Sequence, residues 1–208
     1  MTHMVDVLTG VLMSAGCYSL QCPACRPIVA FRQAAAIGMA RPDQAVLLTG
    51  ASTEWQQTKR MMQTFRLNLK RRGTTVNYVF HVEPNPNGEG AHVHLWTWGD
   101  HLTEDAVREA AVRAGFGSFV GVGPLRMPPG VPLTYGLKLV QTATEAAASG
   151  SEALEYLKLN GGRLCHATRN FWRDHQGNRL PGVRAASKQA YALNRQRPRL
   201  VLTTLPPV

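Results

Sequence analysis

The chain has 208 residues, of which 44% are hydrophobic, and its 23 Lys and Arg exceed its 13 Asp and Glu, giving a formal charge of +10 and a pI near 10.0. That length buries one good core with at most a small appendage, and the apolar content excludes a wholly disordered chain. The basic balance points to a polyanionic partner, with nucleic acid first and an anionic membrane surface second. No apolar run approaches the roughly 20 residues of a membrane span. The start, Met1-Thr-His-Met-Val-Asp, lacks the basic region of a signal peptide. Four cysteines, three of them clustered, do not make a disulfide framework. A cytoplasmic protein with no membrane partner is expected.

Residues 1–42 form a cysteine-containing N-terminal segment: a short apolar stretch, then Cys17, Cys22 and Cys25 in a Cys-x4-Cys-x2-Cys run. These three thiols could ligate a structural Zn²⁺, with Cys165 or His166 reaching back as fourth ligand, or remain reduced without metal. Ala45–Gly50 is predicted as the first strand of the main domain, residues 43–160. Thr53 with Gln56 has the spacing of a capping box for a helix running to Arg72 and stopped by Gly73. Trp55, Met62, Phe65 and Leu69 make its apolar stripe. Lys59, Arg60, Arg66, Lys70, Arg71 and Arg72 lie largely off that stripe, as a solvated face or as a DNA-facing surface.

A β-hairpin is predicted next, from the period-two alternation on both sides of a turn-rich connection after Pro84. Val79, His81 and Glu83 point one way, and Tyr78, Phe80 and Val82 the other. His92, His94, Trp96 and Trp98 share a face on the second strand. In simple register Glu83 lies opposite His92, with side chains about 5 Å apart. One carboxylate and a His-x-His pair make a divalent-metal site that leaves positions open for a substrate. His81, on the same face, could be a ligand, a supporting residue or neither. Trp96 and Trp98 either pack under a later helix or stack on a base.

Thr103 opens a second helix with Ala106, Val107, Ala110, Ala111 and Ala114 on its inner face, Gly115 stops it, and Ser118–Gly123 is a further strand. The order β-α-β-β-α-β predicts an α+β, ferredoxin-like or RRM-like antiparallel sheet with helices on one face. Its other face is expected to be open and to carry Glu83, His92 and His94. A helix is expected from Pro132 through Tyr135 and Lys138, which share a face at i and i+3, and a softer one over Glu152–Leu159. Residues 161–208 are strongly basic, with Arg163 and Arg169 among nine cations, and form an interaction arm or a disordered tail.

Three motifs, Leu47-Leu48-Thr49, His92-Val93-His94 and Tyr135-Gly136-Leu137-Lys138, occur in the order found in HUH endonucleases. The chain from about Leu47 to Tyr156 resembles that superfamily, and within it the single-tyrosine rolling-circle replication initiators of plasmids and phages. The resemblance implies that Glu83, His92 and His94 hold Mn²⁺ or Mg²⁺, and that Tyr135 attacks a scissile phosphate of single-stranded origin DNA. Lys138 would assist Tyr135, and a 5′-phosphotyrosine and a free 3′-OH would result, in the cytoplasm of a bacterial host. Lys59, Arg60, Arg163, Arg169 and Trp96 are the candidate DNA contacts. No Walker A sequence occurs, so strand separation would fall to a host helicase and extension to a host polymerase. Tyr156 and Tyr191 are rival nucleophiles. A single-tyrosine transposase or relaxase, or a non-catalytic nucleic-acid-binding domain on the same sheet, are the alternatives.

Overall fold

In a computed structural model, the structure describes residues 2–5, 12–15, 26–85, 89–125, 151–174 and 176–180. Strands β1 (Thr2–Val5) and β2 (Leu12–Ala15) pair antiparallel as a separate two-stranded sheet. Helix α1 (Arg26–Met39) precedes the main unit of β3 (Gln44–Ala51), α2 (Trp55–Arg71), β4 (Val76–Pro84), β5 (Ala91–Gly99), α3 (Glu104–Arg113) and β6 (Val120–Pro124). Helix α4 (Ser151–Leu159) and the short β7 (His166–Ala167) follow. The antiparallel sheet has the order β6-β3-β5-β4-β7. Within the β-α-β-β-α-β unit this places the strands fourth, first, third, second, as the ferredoxin-like fold requires.

Helices α2 and α3 cover one face, as the residue pattern predicts. Val46 and Leu48 of β3, Tyr78, Phe80 and Val82 of β4, and Val93 and Leu95 of β5 meet Met62, Phe65 and Leu69 of α2 and Val107, Ala110 and Ala111 of α3 there. Each such buried Val, Leu or Phe stabilises the fold by about 1.5–3 kcal/mol. Both helices end alike. Gly73, at φ +80, and Gly115, at φ +91, adopt the left-handed conformation. The next residue's N–H then donates back to the last turn, Thr74 to the Leu69 carbonyl and Phe116 to the Ala111 carbonyl.

The start of α2 departs from expectation. Glu54, not Thr53, is its N-cap and makes no side-chain cap bond. Ser52 organises the turn instead: its Oγ accepts from Glu54 N–H and donates to Gln57 Oε1, while its carbonyl accepts from Thr58 Oγ1. For α3, Thr103 is the cap and accepts from Ala106 N–H.

Over much of β4 and β5 the opposite face of the sheet is not open. Ile37 and Ala40 from the α1 region, Tyr156 and Leu157 of α4, and Leu164, Cys165 and Phe171 cover Val79, Trp96 and Trp98. The described residues between 161 and 180 thus belong to the packed unit: β7 pairs with β4, and Thr168 N–H donates to the Tyr78 carbonyl at 2.8 Å. The boundary expected at residue 160 is not a boundary in packing. The expected helix from Pro132, Tyr191 and residues 181–208 lie outside the described residues. No helix among the described residues is long and apolar enough to cross a membrane.

Candidate metal centre

Strands β4 and β5 pair without interruption from Val76↔Gly99 to Pro84↔Ala91, so Glu83 stands opposite His92 and His81 opposite His94. This is the register the sequence predicts, and it puts one carboxylate among three imidazoles. His81 Nε2 lies 2.8 Å from Glu83 Oε1, and His94 Nε2 and His92 Nε2 lie 3.2 Å and 3.4 Å from Glu83 Oε2. The ligand atoms of His81, Glu83 and His94 all fall within 4.8 Å of one another. His81 is 1% exposed, Glu83 7% and His94 8%, with His92 half-buried at the rim.

Burial alone would raise the Glu83 carboxyl, but hydrogen bonds from the three imidazoles outweigh it and hold the group well below the usual carboxylate range. Burial pushes His81 down to about 4, against the pull of Glu83. An ionised carboxylate beside a neutral imidazole is the protonation state that a divalent cation requires.

The orientation of His92 tests the fit most closely. Asn85 Nδ2 donates to the Glu89 carbonyl, which turns Asn85 Oδ1 toward His92 Nδ1 at 2.9 Å. His92 Nδ1 is tied to Asn85 in this way, and Nε2 is the ring nitrogen that faces Glu83 Oε2. The cluster could hold a metal ion through Glu83 and the imidazoles around it, and Asn85 is the outer partner of His92. Asn85→Ala is expected to lower divalent-metal affinity by about 10–100-fold in calorimetric titration, with folding unchanged.

His81 is the best-held member. Its ring stacks on His94 with centroids 5.1 Å apart and on Trp96 at 4.9 Å. Its bond to Glu83 Oε1 leaves Oε2 to face His92 and His94, so in this arrangement it orients the carboxylate. Trp96 is 1% exposed, lies beneath His81 and packs with Ile37 and Tyr156. The expectation of a DNA contact at Trp96 is corrected accordingly, because a ring covered on both sides has no face for a base.

The depressed His81 value has a consequence for acid stability of the metal-free protein. The unfolded ring takes up a proton near 6.5 and the folded one only near 4. The unfolded state therefore binds more protons across that window, and stability falls as pH drops through it. The loss approaches on the order of 3 kcal/mol. Urea unfolding in EDTA across the window should show it for the wild type and not for His81→Gln.

Asn160 is a site-supporting residue to which the sequence alone assigns no role. Fully buried at the end of α4, it accepts from Val82 N–H and donates to the Val82 carbonyl, both at 2.8 Å, and to the Tyr156 carbonyl at 2.9 Å. It completes the outer edge of β4 between His81 and Glu83, where β7 has ended. Tyr156 donates its hydroxyl to the Leu164 carbonyl at 3.1 Å, and burial, with Glu83 nearby, pushes its phenol well above the ordinary value. A buried, donating phenol is a poor nucleophile, which weighs against that rival.

Lys59, Arg60, Arg163 and Arg169 are exposed. Lys59 and Arg60 belong to α2, on the opposite side of the sheet from the metal cluster. Cys165 is buried, its thiol pushed up to about 12 by burial, and Gln33 Nε2 donates to its sulfur at 3.0 Å. His166 stacks on Trp55 at 4.1 Å and hydrogen-bonds the Asn160 carbonyl. Cys165 is thus part of the core, and His166 is half-buried against Trp55. Tyr135, Lys138, Cys17, Cys22 and Cys25 lie outside the described residues.

Compared with family models, curated proteins and solved structures, the chain matches none.

Proposed function

We propose that the protein is a metal-dependent, single-tyrosine nickase and ligase of single-stranded DNA that starts rolling-circle replication of a plasmid or phage. The observation that carries the proposal is the convergence of His81, His92 and His94 on Glu83, with a ring nitrogen of each within 3.4 Å of a carboxylate oxygen. A bound Mn²⁺ or Mg²⁺ supplies polarisation of the scissile phosphate and stabilisation of charge in the transition state. The remaining chemistry belongs to this chain. The Tyr135 phenolate oxygen bonds to phosphorus, the bond from phosphorus to the 3′ oxygen breaks, and that oxygen takes a proton to leave a free 3′-OH. Lys138 favours the phenolate by its charge. Because a phenolate is also a tolerable leaving group, the 3′-OH can attack in return and rejoin the strand.

A place for the strand exists beside His94. Ala45, Gly121 and Gly123 bring small or absent side chains to that part of the sheet, beside Leu47, within a trough of about 290 Å³ that His94 borders.

Incubation with origin-derived single strands and Mn²⁺ tests the proposal. Cleavage with a 5′-protein adduct is expected in the wild type, and loss of both in Tyr135→Phe and in His92→Ala. An adduct that persists in Tyr135→Phe refutes the nucleophile. Metal-independent strand binding without cleavage, over many sequences, indicates the non-catalytic binding domain instead.

A further inference from the structure

The cations around α2 fall into two groups. On the α3 side they are neutralised: Arg72 and Arg113 pair with Glu109, and Arg108 pairs with Glu104 and Asp105. On the other flank, Lys59, Arg66 and Lys70 recur at i, i+7 and i+11 and so share one side of the helix. None of these three pairs with a carboxylate among the described residues.

Arg66 and Lys70 line a cleft of about 460 Å³ together with Arg169 and Arg173 from the segment after β7, and Thr75 and Asn77 from the start of β4. Its lining holds four cations and no carboxylate. Of the acids near it in sequence, Asp100 accepts the Thr75 N–H at 2.6 Å, and Asp174 accepts the N–H groups of Gln176 and Asn178. Arg66 and Lys70 stand on α2, and the segment that carries Arg169 and Arg173 is tied down by hydrogen bonds. Thr168 ties the segment to β4 through Tyr78 N–H and the Tyr78 carbonyl, and Arg173 Nη1 donates to the Gly177 carbonyl at 2.6 Å. Four like charges gathered in one concavity repel, and a polyanion relieves that repulsion.

We infer that this cleft binds the phosphate backbone of a nucleic-acid strand. Arginine forks match phosphate bidentately, and the threonine and asparagine side chains add donors. Apart from Val76 the lining is polar, with no apolar pockets to seat the side chains of an acidic peptide. The cleft sits by Val76, seven residues along β4 from Glu83, or about 23 Å at roughly 3.3 Å per residue. It is therefore a second holding point, well separated from the metal cluster. The inference rests on nucleic acid being the partner, as in the preceding section, and not on cleavage.

The test is fluorescence anisotropy of the full chain with a labelled, mixed-sequence single strand long enough to reach both ends of β4, in EDTA. Arg66→Ala combined with Arg169→Ala is expected to weaken binding by about tenfold or more and to flatten the log–log salt slope by about two, one per lost phosphate contact. The double lysine replacement at the same positions should retain most of that slope, and Arg113→Ala, on the neutralised α3 side, should bind as the wild type does. Thermal melting checks the fold, and the exposed Lys70→Ala serves should the double variant fail to fold. Unchanged affinity and slope overturn the inference. So does displacement of the strand by polyglutamate as readily as by unlabelled DNA at equal charge, which marks an acidic-peptide site. If nicking fails while this pattern holds, the cleft stands and the nickase reading falls.

Discussion

Glu83→Gln is expected to abolish tight divalent-metal binding and to lower metal-dependent strand cleavage by more than about 100-fold. Losing an outer partner of a metal ligand costs about 10–100-fold, and Glu83 would be the anionic ligand itself. The amide keeps the size of the side chain but not its charge. One end of it also becomes a donor, facing His81 Nε2 on one side or His92 and His94 on the other. The paired measurements are calorimetric titration with Mn²⁺ and cleavage of a single strand, with circular dichroism to check the fold. Wild-type affinity for Mn²⁺ in this variant would mean that the cluster is not where metal binds.

Asn160→Ala should destabilise the protein by about 2–5 kcal/mol, although the side chain touches neither sheet core nor ligand. Its loss leaves Val82 N–H and the Val82 carbonyl buried without their partner, and each such group costs about 1–3 kcal/mol. Val82 lies between His81 and Glu83, so metal affinity should fall along with stability. Asn160→Asp should be no milder. It keeps an acceptor for Val82 N–H, loses the donor to two carbonyls and buries a charge. Urea unfolding at neutral pH measures the effect, and a change in Asn160→Ala within about 0.5 kcal/mol, the usual range for surface substitutions, would remove Asn160 from the account.

The hairpin was legible because alternation fixes a strand's faces, and a turn-rich connection of given length fixes its register. Glu83 and His92 fall opposite each other for that reason. Helices α2 and α3 were legible from Phe65, Leu69, Val107 and Ala110 at helical spacing, and from the glycines that stop them. The covering of the second face was not foreseen, though a sign of it is present. Val79, Trp96 and Trp98 share the face of Glu83, and a strand that is apolar on both sides is buried on both sides. Helix α1 left little trace, because an alanine-rich run without a charged face offers no stripe to read. Asn160 left none: two of its three bonds join it to β4 across 78 residues of sequence, and Asn-Gly-Gly by itself marks only a turn. Likewise the cap of α2 follows from where Ser52 sits in the folded chain, and spacing alone selected Thr53.

The central claim joins the metal cluster to a tyrosine nucleophile, and mapping the covalent adduct tests both at once. Trypsin should release Met127–Lys138 with Tyr135 as its sole tyrosine, and the following peptide, ending at Lys158, with Tyr156 as its own. After reaction with a cleavable single strand and Mn²⁺, mass spectrometry should find nucleotide attached to the first peptide and not the second, and in neither when EDTA replaces the metal. Attachment at Tyr156 or Tyr191, or an adduct that forms equally well in EDTA, would contradict the account.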